Sequence, residues 1–237
     1  MITLTFDTSF KTVAIALLKD DTILYDVVIN AGLNHSETLL PAIEDACGQL
    51  RLKITDIDLF ACTLGPGSFT GLRVGVSTMK GLLLASGKPA VGVSSLMALA
   101  LNVTEDASLI YSVMDAGRDH VYTACYRYND KGLLQQLFPE TVIDPREILL
   151  DAKQDTVLVG EGAIKYRDLF KEKTGTIKIA ASMQQHIRGS AVGILGREKY
   201  FRNELLDPAT FVPVYLRAAD AKIGKPLFNN NCNNIIS

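Results

Sequence analysis

One order of secondary-structure signals runs through this chain twice, and that doubling limits what it can fold into more than any single motif does. Thr3–Phe6, Val13–Leu18 and Ile23–Ile29 are short apolar runs separated by polar turns, and they read as three consecutive strands. Over residues 34–50, Leu39, Leu40, Ile43, Cys47 and Leu50 recur at three- and four-residue spacing, which predicts a helix with one apolar face. Asn34 with Glu37 three residues on reads as a capping box, and Pro41 implies either an irregular first turn or a start near Thr38. Then come a strand over Ile57–Leu64, a helix over Ser68–Ser86 closed by Gly87, a strand over Pro89–Val93 and a helix over Ser95–Leu101. The order restarts with strands Leu109–Met114, Val121–Arg127 and Leu133–Phe138 and a short helix at Pro145–Leu150. It ends with strand Val157–Val159, helix Ala163–Lys171, strand Ile177–Ala180 and helix Ser190–Asn203. Asp7 and Asp115 lie 108 residues apart, as do Ala16 and Ala124, and the turn residues Asp21 and Asn129. A β-β-β-α-β-α-β-α order read twice predicts an α/β protein of two lobes, each a mixed sheet with helices packed on it. The lobes are expected over residues 1–104 and 105–217, with the boundary near Asn102–Ala107; residues 218–237 are a tail, asparagine-rich from Lys225 on.

Charge and cysteine content narrow the function classes. The chain has 237 residues, 48% hydrophobic and 21% charged, with a net charge of −2. Neutralising phosphates supplies most of the affinity of a nucleic-acid binder, and that basic excess is missing, so tRNA or any other nucleic acid would be met only with help. The longest apolar runs, Val13–Leu18 and Leu96–Leu101, are far too short to span a bilayer, and no membrane association is expected. The opening MITLTFDTSF has no basic region followed by an apolar core, so no secretory leader is expected. Cys47, Cys62, Cys125 and Cys232 are scattered without a C-x-x-C pair and read as small hydrophobes and a tail thiol in a reducing cytoplasm.

Four places could carry chemistry. The run Gly65-Pro66-Gly67-Ser68-Phe69-Thr70-Gly71-Leu72-Arg73 follows a strand and opens a helix. Either its backbone N–H groups hold an anion, or it is a structural turn with Ser68 as N-cap; it fits neither a Walker loop nor the dinucleotide fingerprint. The helix it opens carries Gly71 and Gly75 on one row, with Leu72, Val76 and Met79 beside it. Several helical glycines imply close approach by a backbone, which is either the chain's own sheet or a partner helix. Asp7-Thr8-Ser9 and Asp115 hold equivalent places and either position a metal-bound phosphate or accept local N–H bonds. Gly160-Glu161-Gly162-Ala163 either lets a nucleotide approach or is a plain strand-to-helix turn. His35, His120 and His186 have no ligand spacing between them, and no G-x-S-x-G elbow is present, so neither a metal site nor a nucleophile is expected.

Taken together, Phe6-Asp7-Thr8-Ser9, Asn34-His35-Ser36-Glu37 with Leu39-Leu40-Pro41, GPGSFTGLRVGVSTMKGL, Val91-Gly92-Val93-Ser94-Ser95-Leu96, Asp115-Ala116-Gly117-Arg118, Gly160-Glu161-Gly162-Ala163 and Pro213-Val214-Tyr215-Leu216-Arg217 resemble the bacterial TsaB (YeaZ) family. The resemblance covers residues 1–217 in order and implies the two-lobed actin/hexokinase/heat-shock-chaperone ATPase fold. It implies a non-catalytic subunit needed, with a TsaD-like paralogue and a TsaE-like ATPase, for threonylcarbamoylation of adenosine 37 in tRNAs reading codons that begin with A. The paralogue would dock on the helices at 34–50 and 68–87, with His35, Glu37, Leu40, Ile43, Cys47, Gly71, Leu72, Gly75, Val76 and Met79 as interface residues. Without it, the same face would form a homodimer. No resident cofactor is implied; Asp7, Thr8, Ser9, Asp115, Gly160 and Gly162 would be vestiges of a site for ATP or ADP. The paralogue's H-x-x-x-H metal pair has no counterpart, since Leu39 stands four residues after His35. Two other readings stand beside this one: a free-standing ATP-dependent kinase or ATPase, and a peptidase acting on the paralogue.

Overall fold

Ile2–Asp7 (β1), Thr12–Lys19 (β2) and Thr22–Asn30 (β3) form an antiparallel meander, and Leu59–Gly65 (β4) and Ala90–Ser94 (β5) add to it in parallel, giving the order β3-β2-β1-β4-β5. The second sheet repeats this with Leu109–Gly117 (β6), His120–Tyr128 (β7), Leu134–Ile143 (β8), Thr156–Val159 (β9) and Ile177–Ile179 (β10) in the order β8-β7-β6-β9-β10. The computed structural model describes residues 1–30, 32, 34–104, 109–150, 154–172 and 176–216. The expected tail, Arg217, Cys232 and residues 105–107 of the expected boundary lie outside them. The two sheets have one topology, that of the two-lobed actin/hexokinase/heat-shock-chaperone ATPase fold.

Helices cover the sheets reciprocally. His35–Gln49 (α1) and Phe69–Ser86 (α2) pack on one face of the first sheet, over a core of Leu4, Phe6, Ile15, Leu39, Phe60, Val76 and Met79. The other face of that sheet is covered by Gly189–Phe201 (α6), which comes from the second half of the chain, and Ser95–Ala100 (α3) from the first half packs on β6 and β7. Leu96, Leu99, Tyr126, Val159, Val192 and Leu195 therefore share one core between the sheets. Polar ties reinforce it: Thr5 Oγ1 donates to the Gly189 carbonyl at 2.6 Å, and Asp26 accepts from Arg188 Nε at 3.0 Å and Ser190 Oγ at 2.6 Å.

Several local expectations are corrected. The Asn34 side chain makes no capping hydrogen bond; Thr38 Oγ1 bonds the Asn34 carbonyl at 2.8 Å instead, and α1 starts at His35 with Pro41 on its exposed side. β8 runs on to Ile143 through Pro139, which is tolerated because β8 is an edge strand and its register shifts there. The helix expected at Pro145–Leu150 is a single 3₁₀ turn, Pro145–Glu147, capped by Asp144. The helix expected at Ala163–Lys171 is two, Glu161–Lys165 (α4) and Arg167–Lys171 (α5), broken at Tyr166 so that Ala163 packs toward β6 and Phe170 toward β10. Asp7 faces Ala14, whereas Asp115 faces Val121, so the second hairpin turn is one residue shorter. Ala16 and Ala124 are thus one step out of register, despite their equal spacing in sequence.

Candidate docking surface and the closed cleft

At the end of β1 the Asp7-Thr8-Ser9 turn is tied to its neighbours by hydrogen bonds. Asp7 is buried, and its Oδ1 accepts from Ser9 N at 3.1 Å, Ser9 Oγ at 2.6 Å and Thr63 Oγ1 at 2.5 Å. Its Oδ2 is buried with no hydrogen-bond partner among the described residues. Burial pushes the Asp7 carboxyl above the usual carboxylate range, against the opposing effects of those hydrogen bonds and of nearby His35. The head of α2 is tied to the same turn. Ser68 N donates to the Ser9 carbonyl at 2.6 Å, Gly71 N donates to Ser68 Oγ, and Thr8 Oγ1 donates to the Gly71 carbonyl at 2.8 Å. A Cβ on Gly71 would lie 2.1 Å from the Thr8 carbonyl oxygen, and one on Gly75 would lie 2.5 Å from Thr8 Oγ1. The glycine row therefore seats α2 against the Thr8-Ser9 turn of its own sheet. Ser68 is the N-cap of α2, as expected of the turn reading.

The second lobe treats its counterpart differently. Asp115 is paired with Lys165, whose Nζ reaches its two carboxylate oxygens at 3.0 and 2.9 Å, and Gly117 N donates to the same group. Gly160 and Gly162 both abut the Val113 carbonyl, where a Cβ would lie at 2.4 and 2.9 Å. They let α4 pack tightly on β6. Glu161 begins α4, its carboxyl raised by burial, with Lys11 from the first lobe and Lys165 opposing and Asp115 adding to the rise. Among the described residues, no group of three or more His, Cys, Asp or Glu is placed to hold a metal ion.

The outer face of α1 and α2 is where the molecule stays open. Of the expected interface residues, Glu37 and Leu40 are exposed there, Leu40 by 54%. His35, Ile43, Cys47, Gly71, Leu72, Gly75, Val76 and Met79 are buried inside the lobe, and His35 Nε2 is bonded to the Phe10 carbonyl. The apolar rows of both helices are spent on their own sheet, which corrects the face assigned to them. The row that is exposed on α2 is Thr70, Arg73, Ser77, Gly81 and Leu84, Leu84 by 91%; sequence reasoning singled out only Gly81 of it, as a continuation of the small-residue row. Their three- and four-residue spacing was legible, but it is a mixed row and carries no apolar signal. Ser36 and Leu40 of α1 and Phe69, Thr70, Arg73, Val74, Ser77 and Thr78 of α2 line an open groove of about 470 Å³ between the helices. α1 exposes Glu37, Glu44 and Asp45, Asp45 bonded to Tyr25 and Gln49, whereas Arg73 of α2 lines the groove.

Comparison with known proteins places this arrangement. Residues 29–225 match the family model described as TsaD, tRNA N6-adenosine threonylcarbamoyltransferase. The "tRNA threonylcarbamoyladenosine biosynthesis protein TsaB" of Bacillus subtilis is 33% identical over 226 residues, covering 94% of this chain and 96% of that protein. The Escherichia coli protein of the same name is 32% identical over 175 residues, covering 71% and 75%. YeaZ from Pseudomonas aeruginosa superposes with a TM-score of 0.80 at 27% identity, covering 91% of this chain and 99% of that one. At full-length coverage and above 30% identity, with the same doubled sheet, the chain belongs to the TsaB (YeaZ) family.

Proposed function

We propose that this chain is a non-catalytic subunit of the cytoplasmic assembly that attaches a threonylcarbamoyl group to adenosine 37 of tRNAs reading codons that begin with A. Membership of a family named for threonylcarbamoyladenosine biosynthesis supports the pathway. The observation that carries the role is the contrast between the two regions just described. The positions that would hold nucleotide in a two-lobed phosphotransferase are occupied by the chain's own groups: Thr8 and Ser9 against α2, Lys165 against Asp115, and the Val113 carbonyl against Gly160 and Gly162. The α1–α2 face keeps a groove with apolar and charged side chains that none of the described residues covers.

On this reading the α1–α2 face docks a TsaD-like paralogue, which supplies the chemistry, and a TsaE-like ATPase joins the pair. tRNA is met through the assembly, in keeping with a net charge of −2. A helix pair from each partner can bury the roughly 1,200–2,000 Å² of a stable interface. Alone at high concentration, the same face pairs with a second copy. The test is co-purification of the chain with the paralogue, comparing wild type with Leu40→Asp, which puts a charge in the groove without touching the core. Loss of the complex with an unchanged melting temperature is the expected result; a complex unaffected by Leu40→Asp moves docking elsewhere and refutes the assignment of this face.

A further inference from the structure

Arg73 is held on the docking face by residues far from it in sequence. Its guanidinium carbon sits 3.8 Å from the centre of the Phe69 ring, one helical turn earlier in α2. Phe69 is itself braced by Tyr215, with ring centres 5.1 Å apart at an interplanar angle of 36°. Tyr215 ends a segment that crosses from α6 back over the first sheet. Leu206 N donates to the Ala90 carbonyl at 2.8 Å, Phe211 is buried in the core beneath α2, and Val214 N donates to the Leu64 carbonyl at 2.7 Å. The stack is therefore tied to β4 and β5 as well as to α2.

We propose that this stack is a preset carboxylate receptor: Arg73, positioned by Phe69 and Tyr215, takes an Asp or Glu side chain of the docked paralogue. The inference rests on the α1–α2 face being the docking face and adds the chemistry of the contact. Three observations carry it. Arg73 is exposed and has no ion pair with any described residue, although the exposed acids of α1 stand on the neighbouring helix. Four other arginines have an ion-pair partner within the chain: Arg188 with Asp26, Arg197 with Asp21, Arg146 with Asp144 and Arg202 with Glu198. Arg73 lines the groove beside Leu40 and Val74, so a bound carboxylate would be shielded by apolar neighbours. A planar guanidinium stacked on an aromatic face presents its N–H fork already ordered, so less rotamer freedom is lost when a carboxylate is taken bidentately. Lysine lacks both the plane and the fork. Tyr215 is accordingly a positioning residue, acting through Phe69.

The experiment measures the affinity of the full chain for the paralogue, at two salt concentrations, for wild type, Arg73→Ala, Arg73→Lys, Tyr215→Leu, the double variant Arg73→Ala/Tyr215→Leu, and Leu40→Asp. Arg73→Ala is expected to weaken binding about tenfold or more and to flatten its salt dependence, with Arg73→Lys failing to restore it. Tyr215→Leu weakens binding severalfold in the wild-type background and has no further effect once Arg73 is alanine. Circular dichroism melts confirm that each variant is folded. If Arg73→Ala binds like wild type while Leu40→Asp does not, the receptor is refuted and the docking face stands. If neither changes binding, the docking face itself is refuted. If Tyr215→Leu and Arg73→Ala add independently, the positioning role of the stack is refuted. Restoration of affinity by Arg73→Lys refutes the bidentate contact in favour of a plain point charge.

Discussion

Gly71→Ala tests the packing that closes the cleft. One methyl group is added, on the third residue of α2, and the atom it would meet is the backbone oxygen of Thr8 at 2.1 Å. Ordinary contact needs more than an ångström of extra separation, and neither side yields easily. Thr8 follows β1 directly and is bonded through Oγ1 to the Gly71 carbonyl, and Ser68 is bonded to the Ser9 carbonyl. Overpacking of this sort costs about 1–3 kcal/mol, and an obstructing backbone atom puts this site at the upper end or beyond. Against it, alanine gains at most about 1 kcal/mol of helix propensity over glycine. The net expectation is a loss of about 2–3 kcal/mol. Gly81→Ala is the internal control: it lies in the same helix, exposed, with nothing within 4 Å of the added carbon. It receives the propensity gain alone and should be stabilised by about 0.5–1 kcal/mol. Urea unfolding followed by circular dichroism reads both, because the chain has no tryptophan for fluorescence. At this chain length, the opposed shifts correspond to melting changes of roughly 2–4 °C per kcal/mol. If Gly71→Ala matches or exceeds the stability of Gly81→Ala, α2 is not seated on Thr8, and the closed-cleft reasoning fails with it.

Two further expectations concern buried polar groups. Native Asp7 keeps its proton to higher pH than the unfolded chain, whose aspartate titrates near 3.8, so the native state binds more protons between those values. Its contribution to stability is therefore present below pH 4 and lost as pH rises through the native value; Asp7→Asn should remove that loss, and its urea midpoint relative to wild type should rise over this window. A relative fall over the same range refutes the assignment. Ser94→Ala removes a hydroxyl that accepts from Met97 N at 3.0 Å at the head of α3 and donates to Glu140 across the lobes. Losing a cap costs about 1 kcal/mol and stranding a part-buried carboxylate about 1–3 kcal/mol, so a total of about 2–4 kcal/mol is expected in the same assay.

The doubled order was legible because each strand and long helix carries its own periodicity, and the placement of Asp7 and Asp115 followed from it. What the sequence hid is set by contacts between distant segments. The break at Tyr166 has no glycine or proline to announce it; it follows from Ala163 and Phe170 packing toward different strands. The crossing of α6 onto the first sheet depends on which core receives Val192 and Leu195. Eight of the ten expected interface residues are buried for a related reason. An apolar row such as Leu72, Val76 and Met79 is the strongest local signal in α2, and a helix lying on a sheet buries its strongest row first. The pair Phe69 and Arg73 was visible at one-turn spacing, but its brace, Tyr215, is visible only once the chain has folded back.

The distribution of satisfied and unsatisfied groups argues for one working surface. A cleft that performs phosphate chemistry keeps donors and carboxylates free to meet a ligand. Here several of the corresponding groups are engaged internally: Asp7 Oδ1 with Ser9 and Thr63, Asp115 with Lys165, and Ser68 N and Gly71 N at the head of α2 with the Ser9 carbonyl and Ser68 Oγ. In the first lobe, reopening them means breaking the buried hydrogen bonds of Asp7 and Thr8 at about 1 kcal/mol each and lifting α2 off the sheet, whereas the Asp115–Lys165 pair is exposed and opposes little. A ligand would have to meet that penalty before gaining any affinity of its own. The α1–α2 groove asks for no such rearrangement, since Leu40, Leu84 and Arg73 are already outside. Binding energy is therefore most readily realised on that face, and a partner seated there leaves the internal bonds intact. The same logic predicts the sign of coupling: Gly71→Ala, which strains the seat of α2, should weaken docking in step with its loss of stability, whereas Gly81→Ala, on the exposed row, alters docking by direct contact alone.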